Sequence, residues 1–283
     1  MKKLLTLALS SLLALSLLAG CGSNNTAASG SASGSTGETV TLKVGASITP
    51  HAEILAQCKP ILAKQGIDLE VVEYTDYVQP NTALEDGSLD ANYFQHINYL
   101  NWFNSEYGTH LVSAASVHYE PFGIYAGKVA SIADLKDGDE VIIPNDGSNE
   151  TRALLLLQQE GIITLKDGIT AASNATVQDI ASYSVNITIR EMEAAQLTIS
   201  LPDVALAVIN GNYALQGGLN AATDALAIES ADGDAAQEYG NILAVKEGHE
   251  NDPAILALID VLHSDTIRNF INNTYGGAVV PTF

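Results

Sequence analysis

The alternation of strand and helix patterns near the start of the folded chain constrains its fold more than any other feature. Short runs rich in β-branched residues alternate with helical patterns, and Gly66 and Gly108 stand where two of those helices can end. The order predicts an α/β fold with a mostly parallel sheet and helices on both faces. Predicted strands lie at residues 40–45, 67–74, 89–94, 141–143, 186–191, 204–209 and 241–246. The main helices are predicted at 50–65, 77–84 and 97–107, with one or two amphipathic helices within 253–273.

Residues 141–161 add a polar turn between a strand and a helix. The β-branched run stops at Pro144, which cannot donate to the interior of a sheet. Residues 145–148 are turn and helix-capping types, and Gly161 can end the helix that follows. A helix start of this kind leaves backbone N–H groups that can bind a small anion.

Asn149 and Arg152 lie three residues apart in this helix, so they share one face. A guanidinium binds carboxylate or phosphate through two parallel hydrogen bonds. Because the chain has no glycine-rich P-loop with its lysine, a carboxylate is favoured over a nucleotide. The alternative is that Arg152 is an ordinary surface arginine.

The first 38 residues are predicted to direct and tether the protein. Residues 1–20 combine two lysines, an apolar run and a small-residue cleavage site, as in a signal peptide. Cys21 follows that site and resembles the lipobox cysteine of bacterial lipoproteins, which predicts lipidation; an ordinary secretory signal is the alternative. Residues 21–38 are mostly small and polar and are predicted to form a flexible tether.

The charge of the chain excludes one class of partner. Without Lys2 and Lys3, ten basic residues face thirty-three acidic ones, a net charge of −23. Nucleic acids and anionic lipid surfaces are bound by clustered lysine and arginine. We therefore predict no nucleic-acid partner.

An imperfect internal repeat predicts two lobes that face each other. Residues 69–73 lead through a helix to a strand with Phe94 and His96, and residues 187–191 lead through a helix to a strand ending at Asn210. Coincidence is the alternative, because any α/β chain repeats strand and helix. The predicted boundaries are residues 39–124 with 246–283 for lobe 1 and residues 125–245 for lobe 2.

Three groups of side chains follow predicted strands and are expected to converge, because ligands of open α/β sheets bind at the carboxyl ends of strands. They suit a small zwitterion: Arg152 for its carboxylate, amide oxygens for its ammonium, and aromatic rings for an apolar side chain. Each aromatic residue could instead belong to the core. The predicted ligand-binding residues are Tyr77, Phe94, His96, Asn149, Arg152 and Asn210, with Tyr74 and Tyr125 behind them.

Enzymatic chemistry finds little support. His96 could act as a general base, but neither a GxSxG elbow nor an HExxH helix is present. The six histidines are scattered and show no pair at metal-ligand spacing. Cys58, in an alanine-flanked helix, is predicted to be a buried thiol. We predict no catalytic residue, no cofactor and no metal.

Several segments together resemble the methionine-binding lipoproteins of bacterial ABC importers. They are DYVQPN at 76–81, DAN with FQH within 90–96, PND at 144–146, Asn149 with Arg152 and LLLL at 154–157, LKDG at 165–168, AVIN at 207–210 and GGAV at 276–279. The resemblance implies a two-lobed periplasmic-binding-protein fold, type II-like, with mixed, mostly parallel sheets joined by crossover strands. It also implies that Arg152 binds a methionine carboxylate, Asn149 and Asn210 its head group, and Tyr77, Phe94 and His96 its thioether.

The resemblance predicts an extracytoplasmic protein anchored by lipid on Cys21 to the outer face of the bacterial cytoplasmic membrane. It would capture L-methionine and deliver it to the membrane permease of an ABC importer. D-methionine, another apolar amino acid or a small peptide are the alternative ligands, and an enzyme acting on a small carboxylate is the alternative class. Phe122 departs from the family pattern in its bulk, which predicts an altered pocket or hinge.

Overall fold

The computed structural model describes residues 39–229 and 238–283. The predicted signal peptide at 1–20, the tether at 21–38 and the lipidation of Cys21 lie outside the described residues. Within the described ranges, no helix combines the length and the apolar character that a membrane span requires.

The strands and helices alternate along most of the chain, as predicted. The strands are β1 (Val40–Ser47), β2 (Ile67–Tyr74), β3 (Ala91–His96), β4 (Leu111–Tyr119), β5 (Gly123–Ala126), β6 (Glu140–Pro144), β7 (Ile163–Leu165), β8 (Ile180–Tyr183), β9 (Thr188–Met192), β10 (Leu206–Ile209), β11 (Ala225–Ile228), β12 (Gly240–Lys246) and β13 (Val280–Pro281). The α-helices are α1 (Glu53–Ala63), α2 (Gln79–Glu85), α3 (Ile97–Tyr107), α4 (Gly147–Gln159), α5 (Ala194–Ser200), α6 (Gly211–Gln216), α7 (Ala221–Asp224), α8 (Pro253–Leu262) and α9 (Asp265–Tyr275). Short helical turns lie at Ile48–Ala52, Ile132–Asp134, Val177–Asp179 and Leu201–Asp203.

Two mixed sheets organise these elements. The first has the order β13-β4-β12-β3-β1-β2 and the second the order β11-β5-β10-β6-β9. Strand β1 pairs in parallel with β2 and β3, and β6 pairs in parallel with β9 and β10. We call the parts built on these sheets the first lobe and the second lobe.

The internal repeat predicted from the sequence is present in the topology. The parallel orders β3-β1-β2 and β10-β6-β9 are equivalent, and each is extended by an antiparallel strand, β12 beside β3 and β5 beside β10. The alternation of strands and helices predicted mostly parallel sheets, but the two sheets contain more antiparallel pairs than that prediction implies. The reason is that the segments that cross between the lobes pair antiparallel with their neighbours. The lobe boundaries at residues 125 and 246 stay a prediction; β12, at 240–246, pairs within the first sheet.

Alternate residues of the central strands pack on opposite faces of each sheet. In β6, Val141 and Ile143 join the core beneath α4, while Ile142 joins the core that includes Leu197 of α5. All three β6 residues are fully buried. Burying each such side chain stabilises the fold by about 1.5–3 kcal/mol. The predicted burial of Cys58 is also correct, and burial raises the pKa of its thiol to about 12.

Several predicted boundaries differ from the structure by a few residues, and two of the differences affect the site. The helix expected at 50–65 begins at Glu53, because Thr49 precedes a proline and adopts an extended conformation instead of a helical one. The strand expected at 89–94 ends at His96. This shift makes His96 the N-cap of α3, where its side chain accepts a hydrogen bond from the backbone N–H of Tyr99.

The chain crosses from the first sheet to the second between β4 and β5, through Glu120, Pro121 and Phe122. Strand β11 belongs to the second sheet and β12 to the first, and Glu229 directly follows β11. Glu120 and Glu229 are both buried. The carboxyl ends of β3, β6 and β10 lie beside these segments and surround the cavity described next.

Candidate ligand-binding site

A small cavity, with a free volume of about 20 Å³, lies at the carboxyl ends of β3, β6 and β10. This volume holds about one water molecule. All six predicted ligand-binding residues line it, so the structure brings together what the sequence placed on separate elements. The lining residues are Tyr77, Phe94, Gln95, His96, Tyr99, Glu120, Asn149, Arg152, Asn210, Gly211, Asn212 and Asn241.

Asp146 organises the second-lobe side of the cavity. It is the N-cap of α4, and its carboxylate accepts a hydrogen bond from the backbone N–H of Asn149 at 2.9 Å. The expectation that this helix start binds an external anion is therefore wrong in part, because the protein supplies the anion itself. Burial raises the pKa of Asp146, although the hydrogen bonds from Asn149 act in the opposite direction.

The hydrogen bonds around Asn149 have a fixed direction. The carboxylate of Asp146 can only accept, so the amide nitrogen of Asn149 donates to it, at 2.9 Å to each oxygen. The amide oxygen of Asn149 then accepts from Asn210 Nδ2 at 2.9 Å and from His96 Nε2 at 3.0 Å. The remaining atom, Asn210 Oδ1, is buried and has no hydrogen-bond partner among the described residues. It is an acceptor that a donor in the cavity would satisfy.

Asn212 presents the complementary group. Its oxygen accepts a short hydrogen bond from the hydroxyl of Tyr77, a contact that joins the two lobes. Its nitrogen, Asn212 Nδ2, is buried without a hydrogen-bond partner in the described part of the chain. The cavity therefore has one unpaired acceptor and one unpaired donor. Such groups are costly when buried alone and favour a polar ligand.

Arg152 is buried and pairs with a carboxylate of the protein. Its Nε donates to Glu229 Oε2 at 2.8 Å, its terminal nitrogen contacts the other Glu229 oxygen, and the same nitrogen donates to the carbonyl of Glu120 at 2.9 Å. Burial acts to lower the pKa of Arg152, but the attraction of Glu229 outweighs it and the guanidinium stays charged. The prediction of a carboxylate partner did not identify Glu229, which is 77 residues away in the sequence.

The first-lobe side of the cavity is aromatic. The ring of Tyr77 lies 5.7 Å from that of Phe94 and 5.5 Å from that of Tyr99, measured between centroids. Burial, and then the charge of Arg152, lower the pKa of His96 to about 3. His96 is therefore neutral near pH 7 and serves as a hydrogen-bond donor to Asn149. Tyr74 and Tyr125, predicted to stand behind these rings, do not line the cavity.

Glu120 is a lining residue that the sequence did not indicate. Its Oε1 lies 2.7 Å from His118 Nε2 and 3.5 Å from His51 Nε2. Among the described residues this group offers the donor types that bind zinc, with donor atoms within 4.8 Å of one another. Spacing along the chain could not reveal it, because His51 and His118 lie on different elements. The contact between His118 and Glu120 is that of a hydrogen bond, and burial raises the pKa of Glu120.

Phe122 supports the site from behind and does not line it. Its ring centroid lies 4.8 Å from the guanidinium carbon of Arg152, and its backbone N–H donates to Glu229 at 3.1 Å. The bulk that departs from the expected pattern therefore packs against the arginine.

The fold and the site together define a substrate-binding protein: two α/β lobes, joined by crossovers, enclose a small polar and aromatic cavity. An ABC transporter periplasmic substrate-binding protein from Coxiella burnetii superimposes on the chain with a TM-score of 0.79 at 38% identity, covering 85% of this chain and 99% of that one. A nutrient binding protein from Burkholderia cenocepacia, whose structure is bound to methionine, superimposes with a TM-score of 0.81 at 41% identity, covering 86% and 100%.

The chain belongs to the NlpA lipoprotein family, whose sequence model matches residues 42–283. The methionine-binding lipoprotein MetQ of Bacillus subtilis (strain 168) is 40% identical over 271 residues, which cover 94% of this chain and 93% of the relative. The family resemblance and the two-lobed fold predicted from the sequence are thereby confirmed. So is the prediction of a binding protein and not an enzyme.

Proposed function

We propose that this chain captures L-methionine outside the cytoplasm and delivers it to the permease of an ABC importer. The observation that carries the proposal is the pair of unpaired groups in one cavity, the acceptor Asn210 Oδ1 and the donor Asn212 Nδ2. An α-amino acid carries a donor and an acceptor on one carbon, and it would satisfy both.

The charges and rings around the cavity support the same ligand. Arg152 would stabilise the ligand carboxylate together with Asn212, while Asn210 accepts from the ammonium. Tyr77, Phe94 and His96 would surround an unbranched apolar side chain. Thioether sulfur makes favourable contacts with aromatic rings, which favours methionine over an aliphatic amino acid of the same length.

Ligand entry requires the lobes to part, because the cavity of about 20 Å³ is far smaller than an amino acid. The hydrogen bonds that cross between the lobes would break and re-form during this motion. They include Tyr77 to Asn212 and Tyr213 to the carbonyl of Thr75, the latter at 3.1 Å. A ligand that interacts better with the closed arrangement shifts the population toward it.

The anchor and the partner are the finer parts of the proposal. Lipid on Cys21 would hold the protein to the outer face of the bacterial cytoplasmic membrane, and residues 21–38 would give the body reach toward the permease. Membership of a lipoprotein family supports the anchor. Its direct test is mass spectrometry of the N-terminal peptide from membranes, and an unmodified Cys21 would refute it.

Trp102 provides the experiment for ligand binding. It is the single tryptophan of the chain, and its indole nitrogen lies against Gly147 of the opposite lobe, 2.6 Å from where a Cβ would stand. We expect L-methionine to change Trp102 fluorescence and to raise the melting temperature. At a ligand concentration of 100 Kd the stabilisation is about 2.7 kcal/mol.

D-methionine, leucine and the dipeptide Gly-Met are the comparison ligands. Tighter binding of any of them than of L-methionine would replace the proposed ligand with that alternative. If none of the four changes fluorescence or melting temperature up to millimolar concentration, the proposed function is wrong.

A further inference from the structure

Glu120 lines the cavity and is 5% exposed, yet the contacts assigned above to an amino acid do not use its side chain. It lies in the crossover between β4 and β5, so it can contact both lobes at once. Burying a carboxyl group costs free energy unless the group is paired or hydrogen-bonded. The groups around Glu120 therefore indicate its role.

The first lobe holds Glu120 with uncharged groups. His118 Nε2 lies 2.7 Å from Oε1, and the other ring nitrogen of His118 contacts the hydroxyl of Tyr93. His51 approaches the same oxygen at 3.5 Å while its Nε2 bonds with Asn241 at 2.9 Å. Burial lowers the pKa of His51 to about 4 and that of His118 to about 3. Both rings are neutral near pH 7, so they orient the carboxyl group without placing a positive charge beside it.

The second lobe brings Glu120 against the unpaired amides. The backbone N–H of Asn212 donates to it, and Gly211 leaves room for it. A Cβ at Gly211 would stand 2.7 Å from Glu120 Cβ and 2.9 Å from its Oε2. Since Asn210 and Asn212 flank Gly211, the carboxyl group lies next to the residue whose Oδ1 has no partner.

The guanidinium of Arg152 is not bonded to the side chain of Glu120. Its guanidinium binds both oxygens of Glu229 and reaches only the main-chain carbonyl of Glu120. Among the described residues that line the cavity, Arg152 is the one cationic side chain. An ionised Glu120 would therefore lack a counter-ion bonded to its side chain, and a cationic group of the ligand could supply one.

We propose that Glu120 is the counter-ion of the ligand's ammonium group and makes the site selective for ligands that carry one. This inference rests on the proposed function and adds a specificity-determining residue to it. His51 and His118 act as positioning residues for the carboxylate, and Asn210 Oδ1 supplies a second acceptor for the same ammonium.

The test combines a substitution in the protein with the removal of one group from the ligand. Isothermal titration calorimetry measures the binding of L-methionine and of 4-(methylthio)butanoic acid, which is methionine without its amino group. The proteins are the wild type, Glu120→Gln and the matched control Glu150→Gln. Glu150 is a second buried carboxyl group, 4% exposed, that does not line the cavity.

We expect the wild type to bind L-methionine at least about 30-fold more tightly than the analogue, the effect of losing one member of a buried charge pair. Glu120→Gln should lose a similar factor toward L-methionine and change its affinity for the analogue by less than about 3-fold. Glu150→Gln should keep the wild-type ratio. Equal weakening of both ligands by Glu120→Gln, or unchanged binding of L-methionine, would overturn the proposal.

Two further measurements identify a folding defect and a bound metal, and the wild-type titration itself shows whether the amino group of the ligand is recognised. If Glu120→Gln does not fold, Glu120→Asp keeps the charge and should keep the preference for the amino group; loss of the preference in a folded Glu120→Asp counts against the assignment. If prior dialysis against a chelator abolishes binding, the His51, His118 and Glu120 group holds a metal instead, and the proposal is wrong. If the wild type binds the analogue and L-methionine equally well, the ammonium assignment fails while the proposed function survives; if it binds neither, both fail.

Discussion

The two lobes share one strand order and present opposite chemistry to the cavity between them. In each, a central strand is flanked in parallel by two strands that come later in the chain, and the site lies at their carboxyl ends. The first lobe contributes the rings of Tyr77, Phe94 and His96 beside two amides, whereas the residues that line the cavity from the second lobe offer amides and the guanidinium of Arg152 and no ring. The same topology thus supplies a wall for an apolar group on one side and an anchor for a polar group on the other.

The difference begins where each central strand ends. After β6 the chain enters α4, and Asp146 at its N-cap directs the hydrogen bonds of Asn149. After β1 it enters the irregular turn Ile48–Ala52, and His51 lies within it as a neutral ring. The turn before α4 therefore carries a carboxylate that fixes the direction of its neighbours' hydrogen bonds, whereas the turn after β1 carries a neutral ring. Orientation of a ligand would be decided by the second lobe, and its size by the first.

The largest expected effect comes from breaking the anchor of the second lobe. Arg152→Ala leaves the buried carboxylate of Glu229 without its counter-charge, which should lower the free energy of unfolding by about 3–5 kcal/mol. Arg190→Ala is the matched control, because Arg190 binds Glu140 through two hydrogen bonds in the same lobe but is 43% exposed. That variant should lose no more than about 1 kcal/mol. Urea denaturation measures both, and equal losses would refute the contrast.

A smaller effect on binding is expected when one amide is removed. Asn210→Ala deletes the unpaired acceptor, so it should weaken binding of methionine, the proposed ligand, by about 1.5–3 kcal/mol, or roughly 10- to 140-fold. Calorimetry measures the change. Asn104, which donates to the carbonyl of Leu111 and does not line the cavity, provides the control Asn104→Ala. An affinity loss confined to Asn104→Ala would contradict the assignment.

The aromatic wall of the first lobe should discriminate by size and only modestly. Shortening the ligand by one methylene, as in S-methylcysteine, should cost about 1–3 kcal/mol of binding free energy. Phe94→Leu should change the affinity ratio of the two ligands, because Phe94 lines the cavity. Phe103→Leu, at a buried ring outside the lining, should leave the ratio unchanged. A ratio that responds equally to both variants would show that Phe94 does not set ligand length.

The lobes should also differ in how pH affects their stability, and this is the smallest expected effect. Burial, and then the nearby Glu191, raise the pKa of Glu150 in α4 from 4.5 to about 8. The folded state therefore holds this proton where the unfolded state has lost it, so the contribution of Glu150 falls as pH rises from about 5 to 8. Glu150→Gln cannot ionise, and its melting temperature should fall less over that range than that of the wild type.

The buried histidines of the first lobe act on the acid side. The lowered pKa values of His51, His96 and His118 mean that stability is lost as pH falls below about 6.5 toward 4, since the unfolded state binds more protons there. If the melting temperature of Glu150→Gln falls as much as that of the wild type from pH 5 to 8, the assignment of the alkaline effect to Glu150 is wrong.

The sequence by itself determined the order of strands and helices and six residues of the site. Periodicity of apolar residues and capping residues are local signals, and the rule that ligands bind at the carboxyl ends of strands needs only that order. Phe94, His96, Asn149 and Arg152 could be predicted in this way, because each lies at a strand end or in the first two turns of the helix that follows one.

Only the tertiary structure decided how those residues are paired. Arg152 meets Glu229 across 77 residues, and His51 bonds with Asn241 across 190, distances over which no local pattern operates. Glu120 and Asn212 became site residues because the crossovers and α6 bring them to the cavity. The direction of the hydrogen bonds, from Asn149 to Asp146 and from Asn210 to Asn149, follows from which atoms are buried together. Burial and contact between distant residues are properties of the folded chain, and they turn six residues of suitable type into a site.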